Sequence, residues 1–423
     1  MKLDVAVIGG GWAGCAAALT LAEAGTRVTL YESSRTLGGR ARAVEFDGQT
    51  LDNGQHVLLG AYTQTLQLIR HVHPAHADDV MWRQPLHLAQ PPDFEMTCPR
   101  LPAPLHLLAG LLGAHGLSWA MKWQAIRWAH NLLRTVTTDD RLTVTQLTAR
   151  QPDLLNRLLW HPLCVSALNT PPAIASARVF SDVLRAAFGG RARHSDLLLP
   201  RCDLTALFPA PAARRITQQG GKVRLSSRVN RITQTGSGLT LGLLSEEAHH
   251  SHVILAVAPQ HVAGLVATLP ELASDVTALA GYDYQPIATA YMQFAPDFRL
   301  PHPMLALSDG PAQFVFDRGQ SHGQAGLMAL VASAARRLPA DWVRLAEHQL
   351  VRLFPTRAAL SHHSIVEKQA TYACVPGLPH PTTRTAHPLV FLAGDYTASP
   401  YPATLESATS SGVQSARALL EHA

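Results

Sequence analysis

Hydrophobic and polar positions near the start of the chain follow a strand, turn, helix, strand rhythm. Leu3 to Ile8 is a short β-branched run, the pattern of a strand buried on both faces. Ala13 to Ala24 reads as a helix of small residues that Gly25 can end, and Arg27 to Glu32 reads as a second strand. Taken as one unit, Val5 to Ala22 is an uncharged stretch behind Lys2 that resembles a signal peptide or a membrane span. Gly9, Gly10 and Gly11 lie inside it and would cost a continuous helix about 1 kcal/mol each relative to alanine, so the broken parse is preferred.

Later segments repeat the strand pattern. Gly220-Gly221 precede an extended run from Lys222 to Leu225 that leads to Val229 and Ile232, and Val253 to Ala258 reads as a buried strand closed by Pro259. Leu389 to Leu392 is strand-like, and Pro402 to Ala408 opens a helix that runs through Ser411-Gly412 to Leu420. Between Leu101 and Leu133 lies a long apolar region with Trp119, Trp123 and Trp128, interrupted by Pro102, Pro104, Gly110, Gly113 and Gly116. Trp119, Trp123, Met121 and Ile126 fit helical faces, which admits a core role or an interfacial helix at a tunnel mouth. His106 and His115 argue against a true membrane span there.

Composition narrows the classes. With 423 residues, two to three domains are expected, and 47% apolar content excludes disorder, collagen and coiled coil. Charged residues make up 15% of the chain against roughly 25% in soluble domains, so buried surface, an apolar ligand or a membrane face must take up the difference. The +5 formal charge comes from scattered Lys and Arg with no basic block, which speaks against nucleic acid and for mild attraction to an anionic membrane. Cys15, Cys98, Cys164, Cys202 and Cys374 stand singly, which suits a reducing compartment and argues against disulfides or structural zinc. His249, His250, His252, His362 and His363 read as exposed loop histidines, without metal-ligand spacing, so no metal is implied. The expected location is cytoplasmic, compatible with peripheral contact at the inner face of the cytoplasmic membrane.

The first turn carries candidate chemistry: Gly9-x-Gly11-x-x-Gly14 supplies a tight turn, close backbone approach to a pyrophosphate, and close packing of helix on strand. Phosphate charge then faces the free N–H groups of a helix start. Glu32, at the end of the second strand, is placed to accept hydrogen bonds from a ribose diol, and would repel the extra phosphate of NADP.

The segment Ser33-Ser34-Arg35-Thr36-Leu37-Gly38-Gly39-Arg40-Ala41-Arg42 resembles the flavin-dependent amine oxidase and phytoene desaturase superfamily, in which such a turn cradles FAD. Gly38 and Gly39 let amides approach the cofactor, and Arg40 can neutralise diphosphate. Ala393-Gly394-Asp395 and the helix opening at Pro402-Ala403-Thr404-Leu405 resemble the C-terminal FAD motif of that superfamily. The resemblance places Asp395 at the diphosphate-ribityl region and the helix start at the flavin pyrimidine, where its dipole would stabilise reduced flavin. Ser407 stands where the superfamily usually has glycine, for which only a slightly wider approach is expected. By the same resemblance Val229 binds adenine through its backbone; as a bare strand residue it reads equally well as core. The implied cofactor residues are Gly9, Gly11, Trp12, Ala13, Gly14, Glu32, Gly38, Gly39, Arg40, Gly54, Gln55, His56, Val229, Gly394, Asp395, Thr404 and Leu405.

Asp52-Asn53-Gly54-Gln55-His56 is similar to the corresponding segment of the hydroxysqualene dehydroxylases of hopanoid-producing bacteria, and the similarity runs along essentially the whole chain. It implies FAD-dependent reduction of hydroxysqualene to squalene, with an apolar triterpenoid substrate. His56 is the candidate catalytic acid, its near-neutral pKa suiting proton donation; a histidine that merely packs or bonds a carbonyl is the competing reading. Asp52 is expected to fix loop geometry. No second nucleotide fingerprint is present, so a donor protein or small reductant would reduce the flavin in place. A desaturase of a polyprenyl or carotenoid precursor remains the alternative, with an amine oxidase, for which only Tyr396 and Tyr401 lie near the C-terminal motif, and a non-catalytic prenyl-binding protein of the GDP-dissociation-inhibitor type behind it.

The expected fold is α/β: a Rossmann-type FAD-binding domain, discontinuous over residues 1–75, 196–262 and 385–423, with a mixed α+β substrate domain over 76–195 and 263–384.

Overall fold

The computed structural model describes residues 3–135 and 139–422. Five short strands, drawn from both ends and the middle of the chain, form one parallel sheet in the order Lys222–Arg224, Arg27–Tyr31, Asp4–Ile8, His252–Leu255, Val390–Leu392. The three inner strands are buried on both faces along Val5–Ile8, Val28–Tyr31 and Val253–Leu255, mostly Val, Ile, Leu and Ala, as a parallel sheet covered by helices requires. The Trp12–Glu23 helix lies against this sheet and crosses the Leu405–His422 helix at very short range: a Cβ added at Gly412 would sit 2.1 Å from the Ala13 carbonyl oxygen. Small residues on the first helix allow that approach, and it is buried almost all round. The first and last helices of the described residues are thereby packed together.

A second sheet is antiparallel, in the order Met304–Ala306, Phe314–Asp317, Leu327–Ala332, Tyr284–Gln293, Ser361–Tyr372. The Leu327–Ala332 strand is buried along its length, and the inner faces of these strands build their own core with the Trp342–Leu353 helix. Helices between residues 105 and 188 pack partly against the parallel sheet, where Cys164, Leu168 and Phe180 join Ala6 and Ile8, and four smaller sheets of two or three strands complete the described residues. Both sheets and their helices give the expected α/β class.

Several expectations are corrected. The apolar region after Leu101 forms two helices, Leu105–Gly113 and Trp119–Arg134, parted at Gly116, where φ is +82° and a Cβ would lie 1.9 Å from the Asp93 carbonyl oxygen. The core reading of its tryptophans fails for two of them: Trp119 and Trp123 are 65% and 56% exposed, because they sit on the helix face opposite Ala125 and Leu132. Trp128 points inward and stacks on Trp160 with ring centroids 4.3 Å apart. His250 is not an exposed loop residue. Strand alternation turns it inward, where it meets the Tyr31 hydroxyl at 2.9 Å and the Asp4 carboxylate at 2.7 Å. Pro259 begins the Pro259–Leu265 helix at its first position, beyond the shorter His252–Leu255 strand. Among the described residues no helix is long and apolar enough to cross a membrane.

Candidate active site

The glycine turn between the first strand and helix is shaped by sterics that no other residue meets. Gly9 has φ +109° and donates its N–H to the Tyr31 carbonyl at 2.8 Å, closing the turn against the neighbouring strand. A Cβ on Gly14 would lie 1.8 Å from the Gly9 carbonyl oxygen, so helix and strand pack backbone to backbone at that point. Gly38, at φ +114°, donates to the Gly10 carbonyl at 2.8 Å, which lays the Leu37-Gly38-Gly39-Arg40 turn over the first one. Trp12 Nε1 donates to the Ala41 carbonyl at 3.0 Å and locks the two turns together. Glu32 uses one carboxylate oxygen to accept the Gly10 N–H and the other to accept the Ser34 N–H, each at 2.6 Å. Its carboxylate is thus fixed at the strand end and still borders the cavity.

From the other end of the chain, Asp395 reaches Arg40 Nη2 at 2.7 Å, while Arg40 Nη1 donates to the Ala370 carbonyl at 3.0 Å. A single cavity of about 750 Å³ runs past all these groups. Every residue expected to meet the cofactor borders it except Gly14, whose place is the helix–strand contact behind the turn. These groups suit FAD: an uncapped helix N-terminus at Gly11 and a guanidinium to donate to a diphosphate, a carboxylate to accept from a ribose, and a Gly11 whose added Cβ would meet only the Gly39 Cα, at 3.9 Å.

Ser407 resolves differently from the expectation. Its Oγ accepts the Thr404 N–H at 2.9 Å while Thr404 Oγ1 accepts the Ser407 N–H at 3.2 Å, a reciprocal cap on the Leu405–His422 helix. The hydroxyl is therefore turned into its own helix start, away from the cavity. The next residue, Glu406, is buried and its carboxylate accepts the N–H groups of Gln64 at 2.9 Å and Thr65 at 2.8 Å. It thereby caps the Thr63–Val72 helix, which has no side-chain cap of its own.

The Asp52–His56 segment hangs from a buried cation that the sequence offered no reason to single out. Arg318 and Asp52 are each 1% exposed. Arg318 Nη1 lies 3.0 Å from Asp52 Oδ2 and 2.9 Å from Gln55 Oε1, and its Nε donates to Gln324 Oε1 at 2.6 Å. Asp52 Oδ1 accepts the Leu204 N–H at 2.8 Å, and the Tyr291 hydroxyl donates to the Asp52 carbonyl at 2.8 Å. Burial pushes the Asp52 carboxyl up, opposed by the Arg318 charge and the Leu204 amide. Asp52 and Arg318 therefore hold the segment's shape, and Gln55 and His56 project from it into the cavity.

His56 Nδ1 is 2.8 Å from the Gly54 carbonyl, which fixes the Nδ1–H tautomer and leaves Nε2 for a ligand. Burial holds His56 below the usual histidine range, opposed by the Gly54 carbonyl and the Asp52 charge. Near it Asn53 Nδ2 donates to Glu367 Oε2 at 2.9 Å and to the Arg40 carbonyl at 3.2 Å. Both Asn53 and Glu367 border the cavity, as do the apolar Ile287, Met304, Phe314, Phe316 and Val331 of the antiparallel sheet. Glu367 escaped the sequence reading because it lies on a long, half-exposed strand without a motif.

Histidines whose charged form burial disfavours give the fold an acid limit. Burial, with the Arg318 charge, holds His322 down at about 3, and burial also lowers His106, His250 and His380. Their folded pKa values lie below the unfolded value of about 6.5, so the unfolded chain takes up protons first as pH falls. The stability they confer is present above about pH 6.5 and is lost below it. The melting temperature, measured with excess FAD, is expected to fall by several degrees between about pH 7.5 and about pH 5; an unchanged value across that interval contradicts this assignment.

A dinucleotide cradle joined to an apolar chamber, with a polar segment at the junction, defines an FAD-dependent oxidoreductase. The chain belongs to the flavin containing amine oxidoreductase family, whose model matches residues 12–420. It is 26% identical to the hydroxysqualene dehydroxylase of Zymomonas mobilis, over 98% of this chain and 99% of that protein. It is 25% identical to the 15-cis-phytoene desaturase of Narcissus pseudonarcissus, over 99% of this chain and 80% of that protein. Among solved structures, a redesigned putrescine oxidase triple mutant superimposes with a TM-score of 0.76 at 16% identity, covering 100% of this chain and 99% of the other.

Proposed function

We propose that this protein reduces hydroxysqualene to squalene, and that residues 1–75, 196–262 and 385–423 form its FAD domain while 76–195 and 263–384 form the substrate domain. The observation that carries the reading is the chamber itself. Ile287, Met304, Phe314, Phe316 and Val331 wall it, so a long hydrocarbon is held by burial at about 25 cal/mol per Å², with few polar groups to fix its register. Support also comes from the Zymomonas dehydroxylase, which this chain matches along nearly its whole length. The five strands of the parallel sheet fall in the first set of segments and the antiparallel sheet in the second.

FAD held in the cradle by the residues described above would, once reduced by an external donor, supply the hydride. The carbinol C–O bond breaks, a C–H bond forms at the same carbon, and the oxygen leaves as water after taking up one proton. His56 Nε2 is the group positioned to meet that hydroxyl: neutral, it accepts the hydroxyl hydrogen and orients the carbinol; protonated, it donates to the leaving oxygen. The chamber wall excludes water that would trap an allylic cation.

Anaerobic mixing of the reduced protein with one equivalent of hydroxysqualene is expected to reoxidise the flavin and release stoichiometric squalene, read by absorbance and mass spectrometry. A reduced flavin that stays inert, with an oxidised flavin that bleaches on phytoene, would make the protein a desaturase of the kind named in its Narcissus relative; a chain that never retains FAD points to a non-catalytic prenyl binder. For His56, the single-turnover rate is expected to rise as pH falls, because the imidazolium form is populated only below its depressed pKa. His56→Phe should lose this pH dependence and about 10²-fold in rate with FAD still bound; an unaltered pH profile removes His56 from the proton transfer.

The protein's place is read as cytoplasmic with peripheral contact at an anionic membrane. Trp119 and Trp123 are exposed, as are Leu101 and Leu105 earlier in the same region, and no Asp or Glu occurs between Glu95 and Asp139, while Arg100, Arg127 and Arg134 are exposed there. Replacing both tryptophans by serine is expected to lower co-flotation with phosphatidylglycerol vesicles by about tenfold, with turnover of detergent-dispersed substrate unchanged. Equal flotation of the variant counts against this face.

A further inference from the structure

Away from the flavin cradle, the hairpin of His87–Gln90 and Phe94–Thr97 presents two metal-type donors on one face. Its register sets Ala89 opposite Glu95 and His87 opposite Thr97, which makes His87 and Glu95 diagonal neighbours with side chains on the same side. His302 arrives from a distant part of the chain, between Pro301 and Pro303, on the segment that enters the Met304–Ala306 strand. His87 Nε2 lies 3.2 Å and His302 Nε2 3.7 Å from the same oxygen, Glu95 Oε1. The two imidazole centroids are 4.0 Å apart, and one donor atom from each of the three residues lies within 4.8 Å of the others.

We propose that His87, Glu95 and His302 form a binding site for a divalent transition metal of the zinc class, separate from the redox centre and independent of which substrate the chamber takes. Two imidazole nitrogens and one carboxylate oxygen are the donor set such ions prefer. Metal–ligand bonds of about 2.0–2.2 Å place tetrahedral ligands roughly 3.3 Å from one another. The 3.2 and 3.7 Å separations straddle that spacing, and the longer one exceeds a hydrogen bond. A hydrogen bond accounts for His87 on Glu95 but not for His302, whose Nε2 stands beyond hydrogen-bond distance while its ring lies against that of His87. Both histidines are half-buried, and Glu95 faces outward on the hairpin. A fourth position falls to water, since these three residues are the candidate ligands that meet here.

The placement gives the ion a structural task. Met304 of the chamber wall is two residues from His302, and the hairpin leads through Cys98 into the Leu105–Gly113 helix, next to the helix that carries Trp119 and Trp123. A metal here ties the chamber wall to the base of those helices. No spacing motif reveals it, because the third ligand is more than two hundred residues from the first two.

The test uses tag-free, FAD-loaded protein, stripped of metal by chelator and dialysed against Zn²⁺, with Co²⁺ as a spectroscopic probe. About one equivalent of Zn²⁺ is expected, with the strong d–d absorption of four- or five-coordinate Co²⁺. Glu95→Gln and His302→Ala should each weaken both signals by at least ~10-fold, with FAD content and far-ultraviolet circular dichroism as checks of folding. His348→Ala, at an exposed histidine elsewhere, should bind as wild type. Absence of binding in the wild type, equal binding in Glu95→Gln and His302→Ala, or the weak spectrum of octahedral aqueous Co²⁺ overturns the site. Should His302→Ala fail to fold, Glu95→Gln alone decides, since its side chain lies on the surface.

Discussion

Gly14→Ala is expected to abolish retention of FAD. The added methyl group would lie 1.8 Å from the Gly9 carbonyl oxygen and 3.0 Å from its carbon, and both are backbone atoms of the turn itself. Neither can swing aside, so the start of the Trp12–Glu23 helix must lift from the strand and carry its free N–H groups away from the diphosphate position. Overpacking of this severity costs about 3 kcal/mol or more, equivalent to at least ~100-fold in an equilibrium constant. The ratio of flavin to protein absorbance after gel filtration reads the loss directly. Gly11→Ala is the control: its Cβ meets only the Gly39 Cα, at 3.9 Å, so the apoprotein should keep wild-type stability while FAD binds more weakly. A Gly14→Ala protein that keeps stoichiometric FAD would show that the helix start does not depend on this contact.

Arg318→Met is expected to destabilise the folded protein by about 3–5 kcal/mol, because it leaves the buried Asp52 carboxylate without its cation. The same change releases Gln55 and, with it, the segment that carries His56, so single-turnover reduction should slow even where FAD is saturating. Adding Asp52→Asn removes the stranded charge. The double variant should regain part of the stability in urea unfolding, and none of the rate, since Gln55 still lacks its partner. An Arg318→Met protein within about 0.5 kcal/mol of wild type contradicts the role given to the pair.

Local chemistry made the cofactor end of the molecule legible. The segments at Gly9–Gly14, Glu32 and Gly38–Arg40 all fall between Gly9 and Arg40 and carry their signal in short local motifs, and the resemblance they carry extends to Asp395. The substrate end was legible only as composition: an excess of apolar residues, with no indication of which of them line a cavity. Trp119 and Trp123 illustrate the difficulty, since the same helical period serves a core face and an exposed one, and only the packing of Ala125 and Leu132 decides between them. Ser407 looked like a widened flavin contact and is a helix cap instead, because its partner Thr404 is within the same turn and the cavity lies on the other side.

By itself the sequence determined the α/β class and pointed to FAD, since the glycine turns and the strand and helix periodicities rest on residues close along the chain. Tertiary structure alone decided that Arg318 would carry Asp52, that Glu406 would cap the Thr63–Val72 helix, that Glu367 would meet Asn53, and that His302 would join His87 and Glu95. These partners are separated by hundreds of residues, and their meeting depends on sheet order and strand register. A buried charge or an uncapped helix end must find its counterpart somewhere to offset desolvation, and the folded chain, not the local pattern, determines which residue that is.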